Sequence, residues 1–162
     1  MKDNQKYNTD KSKFIYFDVD GVIVLDFSKT NKWKEMISSL GIFGDNINKF
    51  NQLFDEYEPQ ICTGLNLKSF VAIVKQTLGI EFNSNYSMLE DFVKRLEINI
   101  SIHHILNELS RNYKLGLLTN MYPGMLDLLN KPGILPLINW DVVIDSSIIG
   151  YRKPQAQIYE IA

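Results

Sequence analysis

Apolar residues run unbroken from Phe14 to Phe17, and two aspartates then stand two positions apart in "FDVDGVIV". A short apolar run closed by an Asp-Gly turn reads as a buried strand ending near Asp18. "YKLGLLTN" repeats the pattern, its apolar run stopping at Thr119, and "WDVVIDSS" repeats it once more. Between the first and second strands the period changes. "NKWKEMISSLGI", "INKFNQLFDEYE", "LKSFVAIVKQTLGI" and "YSMLEDFVKRLEI" each place apolar residues three or four apart, which predicts four amphipathic helices. Gly41, Pro59, Gly64, Gly79 and the polar "NSNYS" punctuate them. "SIHHILNELSRN" predicts a further helix with Ser101 as its N-cap. Pro123 suits the first turn of a helix running to about Asn130, which "KPGILP" ends. "GYRKPQAQIYEIA" reads as a loop and the opening turns of another helix, whose Ile158 and Ile161 form an apolar face needing cover.

Strands alternating with helices predict an α/β fold: a parallel sheet with crossover helices. Ligands of such sheets gather at the carboxyl ends of the strands. The polar residues expected there are Asp18 and Asp20 after the first strand, and Thr119 and Asn120 after the second. Ser146, Ser147 and Lys153 follow the third. All three ends converge on one crevice holding two acids, a hydroxyl, an amide and an ammonium.

Composition acts by exclusion. In 162 residues, 45% are hydrophobic and 22% charged, with a formal net charge of -2, so the chain builds a core and carries no nucleic-acid footprint. Lys29, Lys32 and Lys34 read as a solvated helix face. No run of about 18 apolar residues occurs, so neither a membrane span nor a membrane partner is expected. The opening "MKDNQKYNTDKSK" mixes acids and bases without an apolar stretch; it reads as a flexible tail over 1–13, and a cytoplasmic location is expected. The single cysteine, Cys62, cannot form an intrachain disulfide and reads as a small buried hydrophobe.

The crevice suits one chemistry above others. Two nearby carboxylates repel, and a cation or ammonium relieves that repulsion. Hard oxygen donors suit Mg²⁺, which commonly bridges carboxylate and substrate phosphate. An aspartate can attack phosphorus, and a second acid can protonate the leaving alkoxide and later deprotonate water. An ammonium and a hydroxyl would hold the phosphoryl oxygens. Gly21 lets the chain turn sharply past both acids.

The chain resembles the haloacid dehalogenase-like (HAD) hydrolase superfamily. "FDVDGVI" is similar to its first motif, "LGLLTN" to its second and "SSIIGYRKPQAQIY" to its third. The resemblance implies a Rossmann-like three-layer α/β/α core over 14–29 and 99–162, with a helical cap inserted over 30–98. It implies an Mg²⁺-dependent phosphatase acting on a small phosphorylated metabolite through an aspartyl-phosphate intermediate. By the same resemblance Asp18 is nucleophile and Mg²⁺ ligand, and Asp20 is acid/base and a ligand through its main-chain carbonyl. Thr119 and Asn120 bind the phosphoryl group, and Lys153 steadies nucleophile and phosphate.

The family's fourth motif, which supplies a further metal ligand, has no counterpart before Ala162, so the resemblance implies a core incomplete at its C-terminal side. A truncated or non-catalytic domain is therefore the alternative reading. A dehalogenase is disfavoured by Asp20, which such enzymes lack. Asp141 and Asp145 read as residues at the start and end of the third strand, not as ligands. His103 and His104 fall on a helix away from the crevice. Trp33 and Tyr57 read either as helix packing or as substrate-selecting side chains.

Overall fold

The computed structural model describes residues 13–83, 85–131 and 133–162. Nearly all of the expected N-terminal tail lies outside them, as does Pro132 of "KPGILP". The strands β1 (Phe14–Phe17), β4 (Lys114–Thr119) and β5 (Val142–Asp145) form a parallel sheet in the order β1-β4-β5. The register pairs Phe17 with Leu117 and Thr119 with Asp145, so the carboxyl ends of all three strands meet along one edge. Five of the six β4 residues are buried, as expected of a central strand covered on both faces.

A two-residue ribbon separates the sheet from the helical segment: β2 (Val24–Leu25) pairs antiparallel with β3 (Glu97–Ile98). No hydrophobic period announces it, because two residues are too few to carry one. Between β2 and β3 stand the four expected helices, α1 (Lys32–Ser39), α2 (Asp45–Ile61), α3 (Leu67–Leu78) and α4 (Met88–Arg95). Their ends follow local chemistry. The Asn66 side chain accepts from the Lys68 N–H at 2.8 Å and starts α3, and Gly79 closes it at φ 64°. Ser87 Oγ accepts the Glu90 N–H at 3.3 Å to start α4.

Three expectations about ends are corrected. Pro59 does not punctuate; it sits inside the last turn of α2, which continues to Ile61. A proline there forfeits one hydrogen bond, and tertiary packing of the buried Phe50, Phe54 and Ile61 keeps the helix intact. Ser101 is not an N-cap: α5 (Ile100–Leu109) already begins at Ile100. The residue before it, Asn99, is tied to the strand region instead, donating from its amide to the Val22 carbonyl at 2.8 Å and from its N–H to Ile23 at 3.1 Å.

Pro123 is likewise not in a first helical turn: it lies just ahead of α6 (Met125–Asn130), because Gly124, in the left-handed conformation, stands between them as the N-cap. After β5 come α7 (Ser146–Ile149) and α8 (Ala156–Ile161). The main core is continuous from the strand region into the helical segment, joining Val19, Leu115 and Leu117 to Met36, Phe50 and Phe70. On the other face of the sheet Ile158 is fully buried against Leu118 and Ile144, while Ile161 remains half exposed. Arg95 links α4 to α1, with Nε 2.9 Å from Asp91 and Nη1 3.4 Å from Glu35. No helix among the described residues is long and apolar enough to cross a membrane.

Candidate active site

β1 delivers Asp18 to the edge where the strands end. The Asp18 carboxylate is held twice: Oδ1 accepts the Val19 N–H at 2.9 Å, and Oδ2 accepts Lys153 Nζ at 2.5 Å. Lys153 is itself positioned by Asn120, at the end of β4. Its N–H donates to Asn120 Oδ1 at 2.8 Å, and the Asn120 amide donates back to the Lys153 carbonyl at 3.1 Å. Asn120 thus serves as a backbone clamp on the lysine loop, a role its side-chain chemistry allows but its position in sequence does not announce.

The turn after Asp18 is made by Asp20 and Gly21, the glycine at φ 75°, a conformation that strains residues with a β-carbon. Asp20, Asp18 and Asn120 line a cavity of about 200 Å³. Asp20 has its carboxyl pushed up to about 6, first by loss of solvation, then by the charges of Asp26 and Asp18, against a hydrogen bond from the Gly21 backbone. A cation beside these carboxylates would relieve that repulsion. The Asp18 carboxylate at this cavity is a hard oxygen donor that fits Mg²⁺, which keeps several waters and takes few protein ligands. Among the described residues no cluster of three or more acidic, histidine or cysteine side chains gathers to enclose a metal by itself.

Thr119 is fully buried, and its Oγ1 has no hydrogen-bond partner among the described residues. Leaving a buried hydroxyl unpaired costs about 1–3 kcal/mol, which the fold tolerates at the end of the central strand. Next to it, Ser146 Oγ accepts the Met121 N–H at 2.9 Å and so ties the ends of β4 and β5 together.

The structure also places the residues expected to be structural. Asp145 is 3% exposed and caps α7, accepting from Ser147 N at 2.8 Å and Ser147 Oγ at 2.7 Å. Asp141 accepts the Leu115 N–H at 2.9 Å, fixing the start of the strand pair. His103 and His104 do not line the cavity.

Cavity residues invisible to the sequence pattern come largely from the helical segment: Glu58 of α2, Cys62 directly after it and Phe92 of α4, joined by Tyr122 just after β4. Only Tyr122 carried a signal, its closeness to Asn120; nothing local shows that α2 lies over the strand ends. Cys62 donates to Glu58 Oε1 at 3.1 Å, and burial followed by that carboxylate pushes its thiol up, keeping it protonated. Burial likewise pushes the Tyr122 phenol up. Glu58 binds Arg152 Nη1 at 2.6 Å, so helix α2 is tied to the residue next to Lys153. A separate cleft of about 410 Å³ between α3 and α4, lined by residues such as Lys68, Val71 and Tyr86, contains none of these groups.

No family model and no curated protein matches the sequence. Solved structures do. A HAD family enzyme from Bacteroides thetaiotaomicron superposes with a TM-score of 0.74 at 15% identity, covering 92% of this chain and 75% of that one. The fold is that of the HAD-like hydrolases. The structure of that Bacteroides enzyme in complex with magnesium and inorganic phosphate gives a TM-score of 0.70 at 19% identity, covering 92% and 76%. A predicted HAD-like family hydrolase from Porphyromonas gingivalis gives 0.69 at 24% identity, covering 92% and 73%. The expected Rossmann-like α/β architecture is therefore the observed HAD-like one, with its sheet represented by three parallel strands among the described residues.

Proposed function

We propose that this HAD-like chain is a phosphomonoester hydrolase acting on a small phosphorylated metabolite. The observation that carries the reading is the contact of Lys153 with Asp18 at the strand ends, beside a cavity that Asp20 and Asn120 also line. Magnesium and phosphate bound to the Bacteroides relative support it.

In this reading an Asp18 oxygen attacks phosphorus, the bond from phosphorus to the ester oxygen breaks, and an aspartyl phosphate forms on Asp18. Asp20 gives its proton to the departing alkoxide. Water then attacks the aspartyl phosphate, Asp20 takes a proton from it, and Asp18 and inorganic phosphate are regenerated. The raised Asp20 carboxyl suits this work, since a group near 6 both holds and releases a proton around neutrality. Lys153 orients Asp18 and faces the charge that grows on the phosphoryl oxygens, while the Thr119 hydroxyl donates its unused hydrogen bond there. Mg²⁺, held by the Asp18 carboxylate and the Asp20 main-chain carbonyl, would neutralise phosphoryl charge. The helices between β2 and β3 act as a cap, with α2 and α4 supplying cavity walls that exclude water.

The test is hydrolysis of para-nitrophenyl phosphate. Wild-type protein is expected to turn it over only with Mg²⁺, and Asp18→Asn to abolish turnover. Turnover that survives Asp18→Asn would remove Asp18 as nucleophile.

A further inference from the structure

A second cleft of about 440 Å³ adjoins the cavity at Asp20, Phe92 and Tyr122, which line both. If Asp20 protonates the departing oxygen, the alcohol portion of the substrate lies on this side of it. The composition of the cleft then selects that alcohol. Its walls are aromatic: Phe27 lies 4.6 Å from Phe92, and Trp33 lies 4.6 Å from Phe54, ring centre to ring centre. Apart from the ring groups of Trp33 and Tyr122, its polar side chains are Asp20, Asn51 and Asp55, with no lysine, arginine or histidine among the lining residues. Trp33 Nε1 donates to Asn51 Oδ1 at 3.0 Å, which fixes the amide and leaves its NH₂ as a donor.

We propose that this cleft is a leaving-group subsite for an uncharged, polyhydroxylated alcohol of sugar size, which makes the substrate a sugar monophosphate. The inference rests on the phosphatase reading. The C–H faces of such a ring pack on Trp33 and its aromatic neighbours. Its hydroxyls donate to Asp55 and accept from Asn51. A carboxylate or second phosphate in the same place would meet two acids and no cation, and like charges brought together in a cleft are strongly rejected. The subsite thus discriminates by repulsion as well as by fit.

Two readouts test it. The first is kcat/KM for glucose 6-phosphate against 2-phosphoglycolate, each relative to para-nitrophenyl phosphate. The sugar ester is expected to be preferred by roughly tenfold or more, and Asp55→Lys to reverse the preference. Equal or better use of 2-phosphoglycolate, or an unchanged ratio in Asp55→Lys, would overturn the subsite. The second is Trp33 emission in a Trp140→Phe background, where Trp33 is the remaining tryptophan of two. A saturable change with glucose 6-phosphate and none with 2-phosphoglycolate is expected; no change with either would overturn the proposal. If no phosphate ester is hydrolysed, the phosphatase reading fails, and Trp33 emission alone decides the subsite. Should Trp140→Phe not fold, isothermal titration of the wild-type protein with the same two esters supplies the binding comparison, with the same outcomes for and against.

Discussion

Lys153 Nζ stands 2.5 Å from Asp18 Oδ2 although 135 positions separate them in the chain. Both side chains keep partial contact with solvent, at 22% and 36% exposure, so the pair contributes little to stability. Its value lies in position. Replacing Lys153 with Met is therefore expected to leave the melting temperature nearly unchanged while lowering kcat for para-nitrophenyl phosphate by about 10²–10³. Differential scanning calorimetry beside steady-state kinetics checks the split; equal loss of both would make the lysine structural.

Thr119 predicts the opposite pairing of effects. Its hydroxyl is buried and unpartnered, so Thr119→Val removes an unsatisfied group and is expected to stabilise the fold by about 1 kcal/mol. In the proposed reaction the same change would delete a donor to the phosphoryl group, and turnover should then fall at least about tenfold. Urea unfolding of the variant decides: a clear destabilisation would mean the hydroxyl is satisfied in solution.

The Asp20 carboxyl makes stability depend on pH with a defined sign. Its folded value of about 6 lies above the ordinary 3.8. Between these values the folded chain binds more protons than the unfolded chain, so stability falls as pH rises across that window. The contribution is fully present below about 3.8 and lost through about 6. In EDTA, Asp20→Asn is expected to gain in melting temperature over wild type as pH rises from 4 to 7. A gap that stays constant over that range would show that Asp20 titrates normally.

Gly116 lies in the middle of β4, under stacked rings of Phe14 and Tyr16 whose centres are 4.7 Å apart. A β-carbon there would stand 2.7 Å from Phe14 Cε1 and 2.8 Å from Tyr16 Cε1. Gly116→Ala is therefore expected to cost about 1–3 kcal/mol through overpacking, seen as a lower urea midpoint. Phe14→Ala should restore part of it, because the double change reopens the space.

Arg152 and Glu58 join the lysine loop to α2. Their side chains are 23% and 28% exposed, so a double-mutant cycle of Arg152→Met and Glu58→Gln should return a coupling of about 1 kcal/mol. A coupling indistinguishable from zero would mean that α2 is held over the strand ends by apolar packing alone.

Much of this was legible in the chain itself. The strands at Phe14, Lys114 and Val142 and the four helices that follow β2 all carry periods long enough to read. The helix ends at Pro59 and Ser101 departed from expectation where packing of α2 or the Asn99 ties outweighed a local preference, and Pro123 fell outside α6 where Gly124 took the cap position. The β2–β3 ribbon was unreadable because its residues are too few and its partners too distant.

For the site, local order along the sequence determined that Asp18, Asp20, Asn120 and Lys153 each follow a strand and that Thr119 stands at the end of one, since a strand's end is a property of its own apolar run. It did not determine that Asn120 would clamp the Lys153 backbone, that the Thr119 hydroxyl would have no partner among the described residues, or that Glu58 and Cys62 would line the cavity beside Asp18 and Trp33 the neighbouring cleft. Those depend on how the helices between β2 and β3 lie over the strand ends. Amphipathic periodicity says which side of a helix is buried, but only the packed tertiary structure decides what it is buried against.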